Sequence, residues 1–334
     1  ETQEMVFDAH IRAFEYYGGV CRRGLYDNMK TAVTTILRGK DREFNRRFSQ
    51  LCSHYRYEPV ACTPAAGWEK GQVENQVGTV RRRLFTPRRR ATDLSALNEA
   101  LSGECLAWAQ THRHPTFKDK TVREVFEAEQ SALLSVPQPF DGYREQTVRV
   151  SSTSMVNFDR NRYSVDCMAV GKTVQLRGYA DELVIMHEGH CIGRHRRCFK
   201  RDQMIFDPWH YLPVLTRKPG ALRNGAPFRQ WDLPIALRRT WQTLKRYPDW
   251  DRQFVSILSR VPTYGMEAVS EACDQALMSG SVSADVVLNL LSRSTEQSAV
   301  ADMEIATHLQ LKQPPVADCN RYDAFRQGVT HAPR

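Results

Sequence analysis

The chain has 334 residues, of which 47 are Lys or Arg and 38 are Asp or Glu, for a formal net charge of +9. That length provides for two or three domains with sizeable cores. Nine cysteines without disulfide-scaffold spacing, no secretory leader and no apolar run long enough to span a bilayer exclude a secreted disulfide scaffold and a helical membrane protein, so a soluble, reduced, intracellular protein is expected. The excess charge is concentrated. Six of the ten residues 81–90 are arginine, and Arg194, Arg196, Arg197, Lys200 and Arg201 form a second cluster. On charge alone, a nucleic-acid partner and a solvated basic face are equally good readings.

In chain order, Phe7, Ile11 and Phe14 mark the apolar stripe of an opening helix, flanked by Ala13 and Tyr17 and ended by Gly18-Gly19. No cap precedes Glu1, so the opening reads as the interior of a domain. A short strand, Gly24-Leu25-Tyr26, leads into Asp27-Asn28-Met29-Lys30. A carboxylate at the carboxyl end of a strand in an α/β sheet points into the crevice where ligands collect, although an isolated Asp-Asn pair more commonly makes a turn or a cap. Phe44, Phe48, Leu51, Cys52 and Tyr55 share one helix face, with Pro59 as the expected stop and Val60-Ala61-Cys62 as a buried strand. After a loop over residues 63–68, a helix is expected from near Glu69 to before Pro87, with a buried stripe of Val73, Val77, Val80 and Leu84. Glu74 lies at the edge of that stripe, and Gly78, Arg81 and Arg82 continue its side. A carboxylate beside a phosphate-binding surface makes sense chiefly with a divalent cation between them.

Residues 94–110 and 122–134 read as two further helices joined by the polar connector His112-Arg113-His114-Pro115, whose histidines are better read as solvent- or phosphate-facing than as metal ligands. Pro137-Gln138-Pro139 marks a domain boundary. Short strands separated by turn signals over residues 144–201 predict a small β-barrel. Within it, His187-Glu188-Gly189-His190-Cys191, with His195 and Cys198, offers zinc donors. The same residues also read as a hairpin, with Leu183-Val184-Ile185 and Cys191-Ile192 around Glu188-Gly189. The absence of a paired Cys-x-x-Cys knuckle favours the hairpin. A Pro-, Gly- and Arg-containing stretch up to Trp231 is expected to be an extended arm. Four helical patterns follow, and a flexible tail is expected from Gln313.

Strand, Asp-Asn, amphipathic helix, strand, Pro-containing loop and a helix carrying Lys-Gly-x-Val-Glu-Asn together resemble the second half of the catalytic core of DDE transposases and retroviral integrases. More narrowly, three motifs resemble the IstA-type insertion-sequence transposases: Phe14-Glu15-Tyr16-Tyr17-Gly18-Gly19-Val20, Tyr26-Asp27-Asn28-Met29-Lys30-Thr31-Ala32-Val33 and Gly71-Gln72-Val73-Glu74-Asn75-Gln76-Val77. The resemblance implies an α/β RNase H-like catalytic core, here its C-terminal half (residues 1–90), then a helical connector (91–136), a small β-barrel (137–205) and an extended arm, α-helical region and flexible tail (206–334). It makes Asp27 and Glu74 the second and third metal-binding carboxylates, with Mg²⁺ or Mn²⁺ as cofactor, for cleavage and strand transfer of transposon ends. The first acidic residue is expected upstream, because Asp8 sits within the opening helix and not at a strand end. This stretch alone is therefore expected to be inactive and to lack the family's N-terminal DNA-reading domain.

Lys30, Lys70, Arg81, Arg82, Arg83, Arg88, Arg89 and Arg90 are the expected DNA-binding residues. The implied partners are double-stranded transposon-end and target DNA, further copies of the chain and an AAA+ ATPase of the IstB type, in the bacterial cytoplasm, at the nucleoid, with no membrane. By elimination, the helices after Asp232 and the tail are the expected ATPase-docking surface. Two readings from other classes stand beside this one: a non-catalytic architectural DNA-binding protein of integrase-like fold, and a protein-interaction scaffold.

Overall fold

The computed structural model describes residues 2–27, 29–36, 42–62 and 67–299, without the side chains of 35, 36, 42, 67–74 and 294–299. The tail expected from Gln313 lies outside the described residues, as do Asn28 and residues 63–66. The chain divides into two compact units, Glu1–Val214 and Leu215–Arg334.

The first unit opens with helix α1 (Gln3–Tyr17), which stops as its glycines require: Gly18 takes φ 64°, and Gly18 and Gly19 donate to the carbonyls of Glu15 and Phe14. Strand β1 (Arg23–Tyr26) is followed by a hairpin that the sequence pattern did not announce, β2 (Val33–Ile36) and β3 (Arg42–Phe44). Phe44 therefore closes a strand and does not open the next helix. That helix, α2 (Arg46–Tyr55), begins after Asn45, whose side chain accepts from the Arg47 N–H at 2.9 Å. It ends at Arg56 in the left-handed conformation, not at Pro59, which lies within strand β4 (Glu58–Ala61). Strands β1 and β4 pair in parallel, Tyr26 opposite Ala61. Phe7, Phe14, Tyr26, Phe48, Leu51 and Tyr55 fill the core beneath them.

Helices α3 (Gly67–Leu84), α4 (Leu94–Thr111) and α5 (Val122–Glu129) follow. The expected buried stripe of α3 is only partly covered: Leu84 is 6 % exposed, whereas Val77 and Val80 are 56 % and 43 % exposed. Helical periodicity shows which residues share a face, but a second surface must arrive to bury that face.

The remaining strands of this unit are β5 (Arg144–Arg149), β6 (Met155–Phe158), β7 (Asn161–Ser164), β8 (Thr173–Gly178), β9 (Glu182–His187), β10 (His190–Arg196) and β11 (Met204–Ile205). The barrel expected here is not closed. Among the described residues the strands form a four-stranded sheet, β10-β9-β8-β5, and a three-stranded one, β11-β7-β6. At their corner the Asp166 N–H donates to the Ile192 carbonyl in place of a continued ladder, and the two sheets share one core of Val150, Phe158, Tyr163, Val174, Leu176 and Ile185. Gly178 permits this approach: a Cβ there would lie 2.3 Å from Phe158 Cζ.

An ion cluster centred on the buried Arg197 and Glu4 ties α1 to these sheets. Arg197, just past β10, places Nη1 2.8 Å from Glu4 Oε1 and Nη2 2.6 Å from Asp159 Oδ2, while Arg144 reaches the other Asp159 oxygen at 2.7 Å. Burial works to raise the Asp159 carboxyl, but the two guanidinium groups outweigh it and hold the group below the usual carboxylate range. Glu4 is fully buried and meets Arg197 as an ion pair out of hydrogen-bond alignment, so the arginine's charge is its compensation.

Below the sheet corner, His195 Nε2 meets the Ser164 carbonyl, and Ser164 Oγ lies 2.9 Å from His210 Nδ1. Burial lowers the pKa of both imidazoles.

The stretch 207–231 is not an extended arm. It folds into short helical turns, including α6 (Leu212–Arg217) and α7 (Ala221–Asn224), and buries Leu215, Leu222, Phe228 and Trp231. In the second unit, α8 (Ile235–Leu244), α9 (Trp250–Leu258), the single turn α10 (Val261–Tyr264), α11 (Met266–Met278) and α12 (Ala284–Ala299) bear out the expected helical region. They pack through Leu237, Leu244, Phe254, Ile257, Val269 and Val287, and Trp241 stacks on Phe254 at 5.4 Å.

Two outcomes follow. Arg197→Ala strands the Glu4 carboxylate without its counter-charge and is expected to cost about 3–5 kcal/mol in urea unfolding, whereas Glu4→Leu with Arg197→Met costs much less. Both histidines bind a proton less readily in the fold than in the unfolded chain. Their contribution is therefore present above the ordinary histidine pKa and lost as pH falls below it. Thermal unfolding midpoints should drop between about pH 7.5 and about pH 5.5, and less steeply in His195→Gln.

Candidate active site

Parallel pairing of β1 with β4 brings two strand ends to one side. The Cys62 N–H donates to the Tyr26 carbonyl at 2.8 Å, extending the ladder to the last residue of β1, and Asp27 comes immediately after it. Asp27 is exposed, and its carbonyl accepts from the Met29 N–H at 2.7 Å, turning the chain away from the strand. Met29 packs on the core and Lys30 is exposed. The carboxylate thus stands at the mouth of a parallel strand pair, where α/β proteins place ligand-binding groups.

Glu74 and Lys70 lie on α3, the helix that follows β4. At 1.5 Å per residue Glu74 is about 10 Å along the helix from Gly67. The side chains of Lys70 and Glu74 lie outside the described residues, so the structure places these two by backbone alone.

The arginine cluster divides into two groups. Arg81, Arg82 and Arg83 occupy the last turn of α3, where positive charge also suits the exposed helix carbonyls. Arg81, Arg82, Arg88 and Arg90 are exposed. Arg83 is exposed as well, but its guanidinium lies 4.2 Å over the Trp108 ring of α4. Arg89 turns inward: its Nε donates to the Leu84 carbonyl and its Nη1 to Glu104 Oε1 at 2.6 Å, while Nη2 bonds Oε2 of the same carboxylate. Arg89 thereby fastens the end of α3 to α4, and it holds the Glu104 carboxyl below its usual range.

Asp8 forms an ion pair with Arg12 at 2.8 Å one helical turn away, as befits a surface helix carboxylate. In the connector, His112 stacks on Trp108 at 4.3 Å, and His114 Nδ1 accepts from the N–H groups of Thr116 and Phe117. The His187–Cys198 stretch contains the hairpin β9–β10, with Glu188 and Gly189 at φ 48° and 82° in its tight turn.

One feature of this site escaped the sequence pattern. Beneath Asp27 a buried chain of polar groups joins His10, Tyr26, Tyr57 and Cys52. Its sequence signal is a histidine on the apolar face of α1, between Phe7 and Phe14 at helical spacing.

A carboxylate with hard oxygen donors, exposed at the end of a strand, fits Mg²⁺ or Mn²⁺ in kind. Among the described residues, no helix is long and apolar enough to cross a membrane.

Comparison with known proteins agrees with these features. The family described as "Mu transposase, C-terminal domain" matches residues 136–207, the stretch that holds the two sheets. A transposase for the insertion sequences IS1326/IS1353 of Pseudomonas aeruginosa is 43 % identical over 98 % of this chain and 65 % of its own length. A transposase of Aminobacter aminovorans is 43 % identical over 99 % of this chain and 66 % of its own. The transposase of insertion sequence element IS21 of Pseudomonas aeruginosa is 32 % identical over 64 % of this chain and 55 % of its own. The chain thus spans just under two thirds of the length of the two most similar of these relatives. With that identity running through nearly every element described above, the chain belongs to the IstA-type insertion-sequence transposases.

Proposed function

We propose that this chain carries the later part of an RNase H-like catalytic core and serves metal-dependent cleavage of transposon-end DNA and its joining to target DNA. The observation that carries this reading is Asp27, an exposed carboxylate at the carboxyl end of a strand in a parallel pair, in a chain 43 % identical to insertion-sequence transposases. Asp27 and Glu74 would hold Mg²⁺ or Mn²⁺ together with a third carboxylate, which the family resemblance puts on an earlier strand. When bound, such ions supply activation of the attacking oxygen and stabilisation of the leaving one at phosphorus.

The chain's own residues do the remaining work. Lys30, Lys70, Arg81, Arg82, Arg88 and Arg90 neutralise backbone phosphates and set the register of the duplex against the carboxylates. Arg83 and Arg89, engaged by Trp108 and Glu104, hold the end of α3 at a fixed angle to α4 while adding to the positive field. No protein nucleophile is needed, because the attacking groups are water and the DNA 3′-hydroxyl. The two sheets of residues 144–205 are a further DNA or subunit contact. The protein acts in the cytoplasm as a multimer on paired ends, and the helices after Asp232 dock an AAA+ ATPase of the IstB type.

In the intact protein, Asp27→Asn and Glu74→Gln should each abolish strand cleavage and joining while leaving affinity for transposon-end DNA nearly unchanged, since each removes a metal ligand and not a phosphate contact. Gel assays of cleavage beside a binding titration check this, and substantial joining by either variant would refute the assignment. Removal of the residues from Asp232 onward should reduce ATPase recruitment in a pull-down and spare end binding. Retained recruitment with lost end binding would move those helices into the DNA-bound assembly.

A further inference from the structure

Tyr26 is the last residue of β1, and its side chain runs into the core on the opposite face of the strand from its neighbours in sequence. There its hydroxyl lies 2.9 Å from His10 Nε2 and 2.8 Å from the Tyr57 hydroxyl. His10 is itself fixed: its Nδ1 lies 2.7 Å from the Val6 carbonyl, which only accepts, so that nitrogen carries a proton, while Nε2 lies against the Tyr26 hydroxyl, which donates to Tyr57. Burial lowers the pKa of His10. Tyr57 continues the chain to the buried Cys52 thiol, and its ring lies nearly parallel to that of His10, 6.4 Å away.

Packing alone does not call for these polar groups. Phenylalanine at positions 26 and 57 would fill nearly the same volume against Phe48 and Phe14 without two hydroxyls to desolvate. What the hydroxyls add is direction: a satisfied polar chain admits one arrangement, where an apolar cluster admits several. The same strand end is also gripped from the main chain by the bond from Cys62 N–H to the Tyr26 carbonyl. Gly24 completes the fit, since a Cβ at that position would lie 2.7 Å from the Tyr26 hydroxyl oxygen.

We propose that His10 and Tyr57 are positioning residues for the reaction: they lock the side chain of Tyr26, and through it the placement of Asp27, the next residue. The inference rests on the reading of Asp27 as a metal ligand and adds the group that aims it. Partners that orient a metal ligand typically contribute about tenfold to a hundredfold in metal affinity.

The test uses the intact protein and Mn²⁺ as probe, with binding followed by electron paramagnetic resonance and strand transfer followed by gel assay. Tyr26→Phe and Tyr57→Phe keep the rings and remove the hydroxyls, and Gly24→Ala displaces the Tyr26 hydroxyl. Each is expected to weaken Mn²⁺ binding about tenfold and to lower kcat while leaving the KM for DNA unchanged. Gly178→Ala, which crowds Phe158 in the distant sheets, serves as a variant of comparable instability and should leave Mn²⁺ affinity unaltered. If the two Tyr→Phe variants lose thermal stability but bind Mn²⁺ as the unmodified protein does, while Asp27→Asn loses it, the positioning role is overturned and the role of Asp27 stands. If Asp27→Asn itself binds Mn²⁺ normally, both are overturned.

Discussion

The contact on which the first unit depends is the pairing of the buried Arg197 with the buried Glu4 and with Asp159. Taking a guanidinium and a carboxylate out of water costs several kcal/mol per ion, and only close opposite charge offsets it. Arg197 spends its two terminal nitrogens on opposite obligations, one toward helix α1 and one toward the β6–β7 turn. The helix that backs the strand-end carboxylate and the sheets downstream therefore cannot separate without leaving Glu4 uncompensated. Nearby, Arg47 of α2 reinforces the junction: it donates to the Asp141 carbonyl at 2.6 Å and lies over the rings of Tyr143 and Phe140 at 4.5 and 5.1 Å. The linker with its two prolines is in this way bonded onto α2, where Tyr55 and His54 also meet residues 138–140.

This rigidity suits the in-line chemistry at phosphorus that we propose for Asp27 and Glu74. Displacement there asks for ligands held to a fraction of an ångström while the DNA is drawn in by charge that needs no such accuracy. The two demands fall on different parts of the molecule. Around β1 the core is dense with aromatic rings, and the polar groups it encloses are bonded to one another. Helix α3, by contrast, exposes Val77, Val80 and its arginines, with Leu84, Arg83 and Arg89 anchoring its final turns.

The sequence carried what is local. Apolar spacing and Gly18-Gly19 marked α1 and its end, and the pair Glu188-Gly189 marked a two-residue hairpin turn. These features are set by neighbours within a turn of helix or a pair of strands, so they survive without knowledge of the rest of the chain.

Whatever depends on partners distant in the chain was decided only by the tertiary structure. The strand β3 took Phe44 away from the following helix because β2 was there to pair with it; no periodicity within residues 42–55 records that. Two open sheets stand in place of a barrel, with Phe158 seated on Gly178 across their shared core. Arg197 looked like one cation in a basic cluster, yet residue 4 makes it a buried ion, and Arg89 turned inward because Glu104 came within reach. His10, finally, gained its place under Asp27 from Tyr26 and Tyr57, which come from two different strand regions. Side-chain type and spacing determine what a residue can do. Burial and the charge that meets it determine what it does, and both are properties of the packed chain.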